Sequence, residues 1–287
     1  MKKMIVLLTG LFMMMSVNGC AHNFYNVPQE TLAENVKVLG VVPVMIDTES
    51  DVRHPQKDEL FTLLMNTNRT YERSLATLLK KKNSFYTVLQ LDNDPKAVFT
   101  SILARRERRD DASIQYNKYF WKQDAIADLI KKNSVDAVMV VVISGITKRD
   151  RVYSDTFFNY LDADYNMLIM TAQVLDAKGN ILWEYPNFIK KPMSVQLSYE
   201  PLFSLQYPDF NAAKANLNPK IEVKFKTLEG IKRAFNKRTQ DWLFRETGDS
   251  ELYMQQFEEM VSMMEIERPV KKSVAAEPAK PAAEPAK

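Results

Sequence analysis

The sequence predicts an α/β (α+β) fold: a mixed central sheet covered by helices, with a proline-rich insertion and C-terminal helices. Three observations predict it. The runs Val36–Val44 and Val135–Ile143 are apolar on both faces, as strands in the middle of a sheet must be. The chain between them carries apolar residues every three or four positions, the helical period. Beyond them, Tyr165–Leu175 and Ile181–Tyr185 flank Asp176-Ala177-Lys178-Gly179-Asn180, a hairpin turn sequence.

Residues 1–19 read as an export signal. Lys2 and Lys3 supply the positive end, and Met4 to Met15 is an apolar run well short of the ~20 residues that span a bilayer. Val17-Asn18-Gly19-Cys20 resembles the lipobox of bacterial lipoproteins. That resemblance implies cleavage between Gly19 and Cys20 and lipidation of Cys20, palmitate included. Cys20 is the only cysteine of 287 residues, so no internal disulfide competes for its thiol. Two or more acyl chains anchor stably where one binds marginally. Ala21, where aspartate would retain the chain at the inner membrane, resembles an outer-membrane sorting signal. The expected location is the cell envelope, at the outer membrane and facing the periplasm.

The domain boundaries follow composition. Residues 20–35 read as a lipidated tether, 36–267 as one α/β domain and 268–287 as a disordered Ala/Glu/Pro/Lys tail, dispensable for folding. Within the domain, Pro43 should close the first strand, since proline cannot donate to a ladder. Asp58 to Lys82 shows leucines at helical spacing and ends on Lys80, Lys81 and Lys82, favourable for the helix dipole. Tyr86–Leu91 is the next strand. Asp94-Pro95 then caps a helix expected to reach about Arg109, and another runs from about Asn117 or Phe120 to Lys132. Residues 186–226 hold five prolines and scattered aromatics, an elaboration on the core. Leu228, Ile231, Phe235 and Trp242 mark one face of a helix, and Asp249 or Ser250 caps a last one to about Glu267.

Composition narrows the function. Losing Lys2 and Lys3 with the signal leaves 37 basic against 36 acidic residues, so the mature chain is near neutral. That argues against a nucleic-acid partner, which calls for a concentrated basic surface. With 46% hydrophobic residues the chain can bury a substantial core.

Three segments together resemble a known group. Val36–Val44 is similar to the first strand of certain bacterial envelope domains. Asp128–Val140 resembles their helix leading into a "GADAVV" strand, with Ser134 where glycine is usual. Met170–Trp183 resembles their hairpin. The group includes the N-terminal domain of TolB, the penicillin-binding-protein activator LpoB and the curli secretion lipoprotein CsgG. The likeness covers about half the chain and implies a shared fold rather than a shared task.

Residues able to do chemistry are few. His54 in Asp51-Val52-Arg53-His54-Pro55 reads as an exposed loop histidine, and His22 lies beside the anchor. Asp162-Ala163-Asp164-Tyr165-Asn166 begins like a calcium loop. It carries Met167 and Gln173 where glycine and glutamate belong, so solvated turn residues are expected instead. Arg105–Arg109 reads as charge at a helix C-terminus, or else as a patch for anionic lipid or an acidic partner. Met254, Met260, Met263 and Met264 read as core. No metal, cofactor or catalytic residue is expected. The functional expectation is a non-enzymatic interaction or assembly factor binding unidentified envelope proteins, with Tyr199, Phe203 and Tyr207 as partner-binding residues. The alternatives are a carboxylate-based hydrolase of envelope polymer, or a secretion-channel component of the CsgG type. Oligomeric state stays open.

Overall fold

The computed structural model describes residues 24–82, 84–109, 115–153, 160–186, 201–207, 223–240 and 246–264. The α/β prediction holds. A seven-stranded mixed sheet runs in the order β3-β1-β6-β7-β8, with β2 paired to β6 and β9 to β7. Strand β1 (Val38–Val41) lies parallel between β3 (Thr87–Gln90) and β6 (Ala137–Tyr153). Strand β2 (Met45–Ile46) continues along β6 after Pro43. The remaining pairs, β6 with β7 (Tyr160–Asp176), β7 with β8 (Ile181–Tyr185) and β7 with β9 (Phe203–Ser204), are antiparallel.

Both apolar runs occupy central positions because neither face of them can be left in water. Met139, Val141 and Ile143 join Leu39 and Val41 on one face. There they meet α2 (Lys57–Lys81) through Leu60, Leu64, Leu75 and Leu79, and α6 (Glu251–Ser262) through Tyr253, Phe257 and Met260. Val138, Val140 and Val142 point the other way, onto α3 (Pro95–Ile102) and α4 (Gln123–Asn133). Each such side chain contributes about 1.5–3 kcal/mol by leaving water.

Local signals act as expected at several joints. Asp94 Oδ1 accepts from Ala97 N at 2.6 Å and caps α3, with Pro95 in its first turn. Ser134 ends α4 at φ +52°, the left-handed conformation that glycine takes without strain. Two residues on, Asp136 Oδ2 accepts from Lys37 N and Val38 N, fastening the start of β1 to that of β6. Asp176 Oδ1 accepts from Lys178 N and Asn180 N in the β7–β8 turn, where Gly179 sits at φ +76°.

Several expectations are corrected. The helix opened by Asp94 stops at Ile102, and Leu103–Arg109 is strand β4, antiparallel to β5 (Tyr116–Trp121). Arg105–Arg109 therefore ends no helix. Tertiary packing overrides the helix-forming arginines here, because Tyr116 and Tyr119 of β5 bury against the sheet and β4 pairs with them. The tether reading also fails in part. Gln29–Asn35 is helix α1, and Phe24, Tyr25 and Leu32 are buried in the core. Tyr25 bridges Trp183, Asn26 N donates to Leu182 O and Glu184 N to Phe24 O, so the segment covers the outer edge of β8.

The central hairpin is longer than its apolar part. Asp162–Asn166 belongs to β7, not to a solvated turn. Arg151 stands opposite Asp162 and Arg149 opposite Asp164, opposite charges directly across an antiparallel pair. Helix α5 (Leu228–Asn236) ends before Trp242, which lies outside the described residues. Strands β10 (Arg238–Gln240) and β11 (Glu246–Ser250) form a small separate sheet before α6. Met260 and Met264 are core, as expected.

Candidate interaction surface

Of the expected partner-binding residues, Phe203 and Tyr207 fall on a short clip laid against β7. Backbone pairing of Phe203 with Leu168 and Ser204 with Met167 starts it. Leu205 N donates to Asn166 O at 2.9 Å. On the other side, Tyr207 N donates to Lys224 O and Lys226 N to Leu205 O, so residues 223–226 close over 203–207. Gln206 ties the layers together: its Oε1 accepts from Asn166 N at 2.6 Å and its Nε2 donates to Val223 O at 2.8 Å.

Asn166 is the buried hub, 1% exposed. Its Nδ2 donates to Asp51 O, Ile146 O and Thr147 Oγ1, and its Oδ1 accepts from Arg53 N at 2.8 Å. The loop that follows β2 is thereby held on the hairpin. Gly145 makes the approach possible, since a Cβ there would sit 2.6 Å from Asp51 O and 2.4 Å from Val52 Cγ2. Above the hub, Asp51 is held below the ordinary carboxylate range. Burial alone would raise it, and hydrogen bonds from Arg53 and Thr147 outweigh that.

His54 corrects another expectation. It is buried, its Nε2 2.8 Å from Lys226 O and its Nδ1 accepting from Gln56 N. Its ring meets Phe225 edge-on. The histidine props the clip from below rather than standing in solvent.

On the outside the clip presents aromatic rings and one cation. Tyr207 is 49% exposed, while Phe203 packs on Phe235 at 5.3 Å and is half-buried. Lys226 Nζ lies 4.1 Å from the Phe203 ring and 5.9 Å from the Tyr207 ring, and donates to Ser204 O. Burial lowers the pKa of this amine. Tyr199 lies outside the described residues, as do Gly19, Cys20 and the tail 268–287. Beside α5, a groove of about 410 Å³ opens between that helix and α2. Glu59, Thr62, Asn66, Leu228 and Lys232 line it.

Two buried carboxylates escaped the sequence reading because their partners are remote in the chain. Asp47 follows β2, 1% exposed, and its Oδ2 accepts from Arg106 Nη1 at 2.5 Å and Tyr119 Oη at 2.8 Å. Burial, and then the Asp47 charge, push the Tyr119 hydroxyl well above its usual pKa, so it stays a donor. Glu184 receives Lys118 Nζ at 2.9 Å, Asn26 Nδ2 at 3.4 Å and Gln173 Nε2 at 3.3 Å. Both carboxylates bind the β4–β5 hairpin to the sheet. Among the described residues, no group of three or more His, Cys, Asp or Glu side chains is arranged to hold a metal, and no helix is long and apolar enough to cross a membrane.

No family model and no curated protein matches the chain. Solved structures are similar in part. The PelC dodecamer from Paraburkholderia phytofirmans is 9% identical over 52% of this chain and 68% of its own, at a TM-score of 0.24. Lipoprotein GNA1162 from Neisseria meningitidis is 14% identical over 51% of this chain and 77% of its own, at 0.26. Hypothetical protein CT253 from Chlamydia trachomatis is 14% identical over 80% and 96%, at 0.30. All three TM-scores lie below 0.5.

Proposed function

We propose that the chain is a lipoprotein of the bacterial envelope, anchored at the outer membrane through Cys20 and facing the periplasm. There it acts without catalysis, as an interaction or assembly factor. The clip supports this reading best. Tyr207 stands half in solvent on a backbone fixed from both sides by hydrogen bonds. An exposed aromatic held rigid loses little entropy on binding, which suits protein recognition. The partner class is an envelope protein.

Two measurements test the two halves. Cys20→Ser should move the protein from the detergent-extracted membrane fraction to the soluble one, because the acyl acceptor is gone. Retention in the membrane fraction after a high-salt wash would defeat the anchor. Cross-linked pull-downs from the native envelope should recover a defined protein with the wild type and much less of it with Tyr207→Ala. Equal recovery would defeat the clip as the interface.

A further inference from the structure

We infer that the β4–β5 hairpin and the residue that follows it dock on an anionic lipid surface, through Arg105, Arg109 and Lys122. The inference rests on the anchor proposed above and adds the orientation in which the body meets its membrane.

Three residues separate Cys20 from Phe24, so the four Cα-to-Cα steps span at most about 14 Å. Phe24 is already packed in the body, stacked on Tyr185 at 6.3 Å, with its carbonyl bonded to Glu184 N. An acylated Cys20 therefore holds the end of β8 close to the headgroups. The β4–β5 hairpin lies at that place. Lys118 of β5 and Asn26 both bond Glu184 Oε1, so hairpin and anchor root share one carboxylate.

Charge points the same way. Along β4 and β5 the described residues carry Arg105, Arg106, Arg108, Arg109 and Lys118 against Glu107, and Lys122 follows directly. Arg106 and Lys118 are committed to Asp47 and Glu184. Arg105 keeps more than half of its side chain in solvent, its guanidinium 3.9 Å over the Phe120 ring, with Glu107 as its ion-pair partner. Arg108 and Lys122 are exposed, and Arg109 is half-buried. A guanidinium laid over an aromatic ring, with further cations nearby, matches an interface where phosphates meet acyl chains. Asp110 and Asp111 follow in sequence and lie outside the described residues.

The test uses the full mature chain with Cys20→Ser, which carries no lipid and so reports the face independently of the anchor. It is sedimented with phosphatidylcholine vesicles, with or without phosphatidylglycerol. Partition onto the anionic vesicles, weakening with salt, is expected. Arg105→Gln, Arg109→Gln and Lys122→Gln together should reduce it roughly tenfold or more, since each cation near such a surface contributes appreciably. Lys80→Gln, Lys81→Gln and Lys82→Gln, at the C-terminal end of α2 across the sheet, should leave it unchanged. An unaltered thermal transition in both triple variants excludes unfolding as the cause. Equal binding to neutral vesicles, or an equal loss in the α2 variant, overturns the inference. So does retention on an acidic polypeptide with no vesicle binding, which assigns the face to a protein. Release of the Cys20→Ser protein from cellular membranes at high salt, where binding through the face is screened, decides the anchor separately.

Discussion

The main-chain N–H of Asn166 donates to the side-chain oxygen of Gln206 at 2.6 Å, across 40 residues of sequence. Through this bond the central hairpin carries the aromatic clip, and through its own side chain Asn166 also holds the loop from Asp51 to Arg53. Removing that side chain strips four hydrogen bonds from a dry site. Asn166→Leu keeps the volume and leaves Arg53 N–H and two main-chain carbonyls short of partners. A loss of about 3 kcal/mol or more in urea unfolding is expected. A change within 0.5 kcal/mol would show that the hub is replaceable.

The Asp47 cluster predicts a different signature. Asp47→Ala leaves Arg106 without its carboxylate and takes the charged acceptor from the Tyr119 hydroxyl, at a cost of about 3–5 kcal/mol. Adding Arg106→Met removes the stranded charge and should recover a large part of that loss. Additive losses in this double-mutant cycle would deny the coupling.

The clip residues should separate by burial. Tyr207→Ala deletes a ring that is half in water, so stability should move by less than about 0.5 kcal/mol while partner capture falls. Phe203→Ala removes the ring that packs on Phe235 and lies under the Lys226 amine, and should cost about 2 kcal/mol. Equal melting losses in the two variants would place both residues in the core.

Lys226 yields a pH test with a fixed sign. Burial lowers its folded-state pKa below the ordinary lysine value of 10.5. Between the folded value and 10.5 the unfolded chain holds a proton that the folded chain has released. Stability from this group therefore rises with pH through that window. The urea midpoint of the wild type minus that of Lys226→Met should be higher at pH 10 than at pH 7.5. The opposite slope would mean that the aromatic rings stabilise the charged amine more than burial penalises it.

How much of this could be read from residues alone depends on how far away the cause lies. Val138 to Ile143 declare a central strand because each side chain is apolar, whatever its neighbour. Asp94-Pro95 and Asp176–Asn180 declare a cap and a turn because their bonding partners lie within four residues. His54 looked exposed because its acceptor, the Lys226 carbonyl, comes 172 residues later. Asp162 to Asn166 looked like a wet turn because the arginines that pair with its acids lie on the opposite strand. Arg105 to Arg109 looked helical because the tyrosines that draw β4 onto the sheet belong to the next strand. Of the clip, the aromatic content of Phe203 and Tyr207 was visible in the sequence, whereas the buried amides that hold it were not.

The two ends of the main sheet are unlike. One is stopped by Phe24–Asn26 lying along β8, while among the described residues no strand lies outside β3. Linear growth of a cross-chain sheet needs two receptive rims on every subunit. A copy that pairs through β3 offers the next only its blocked rim, so strand addition terminates at two chains and cannot propagate into a filament. Phe24–Asn26, besides covering the core, thus double as a chain terminator.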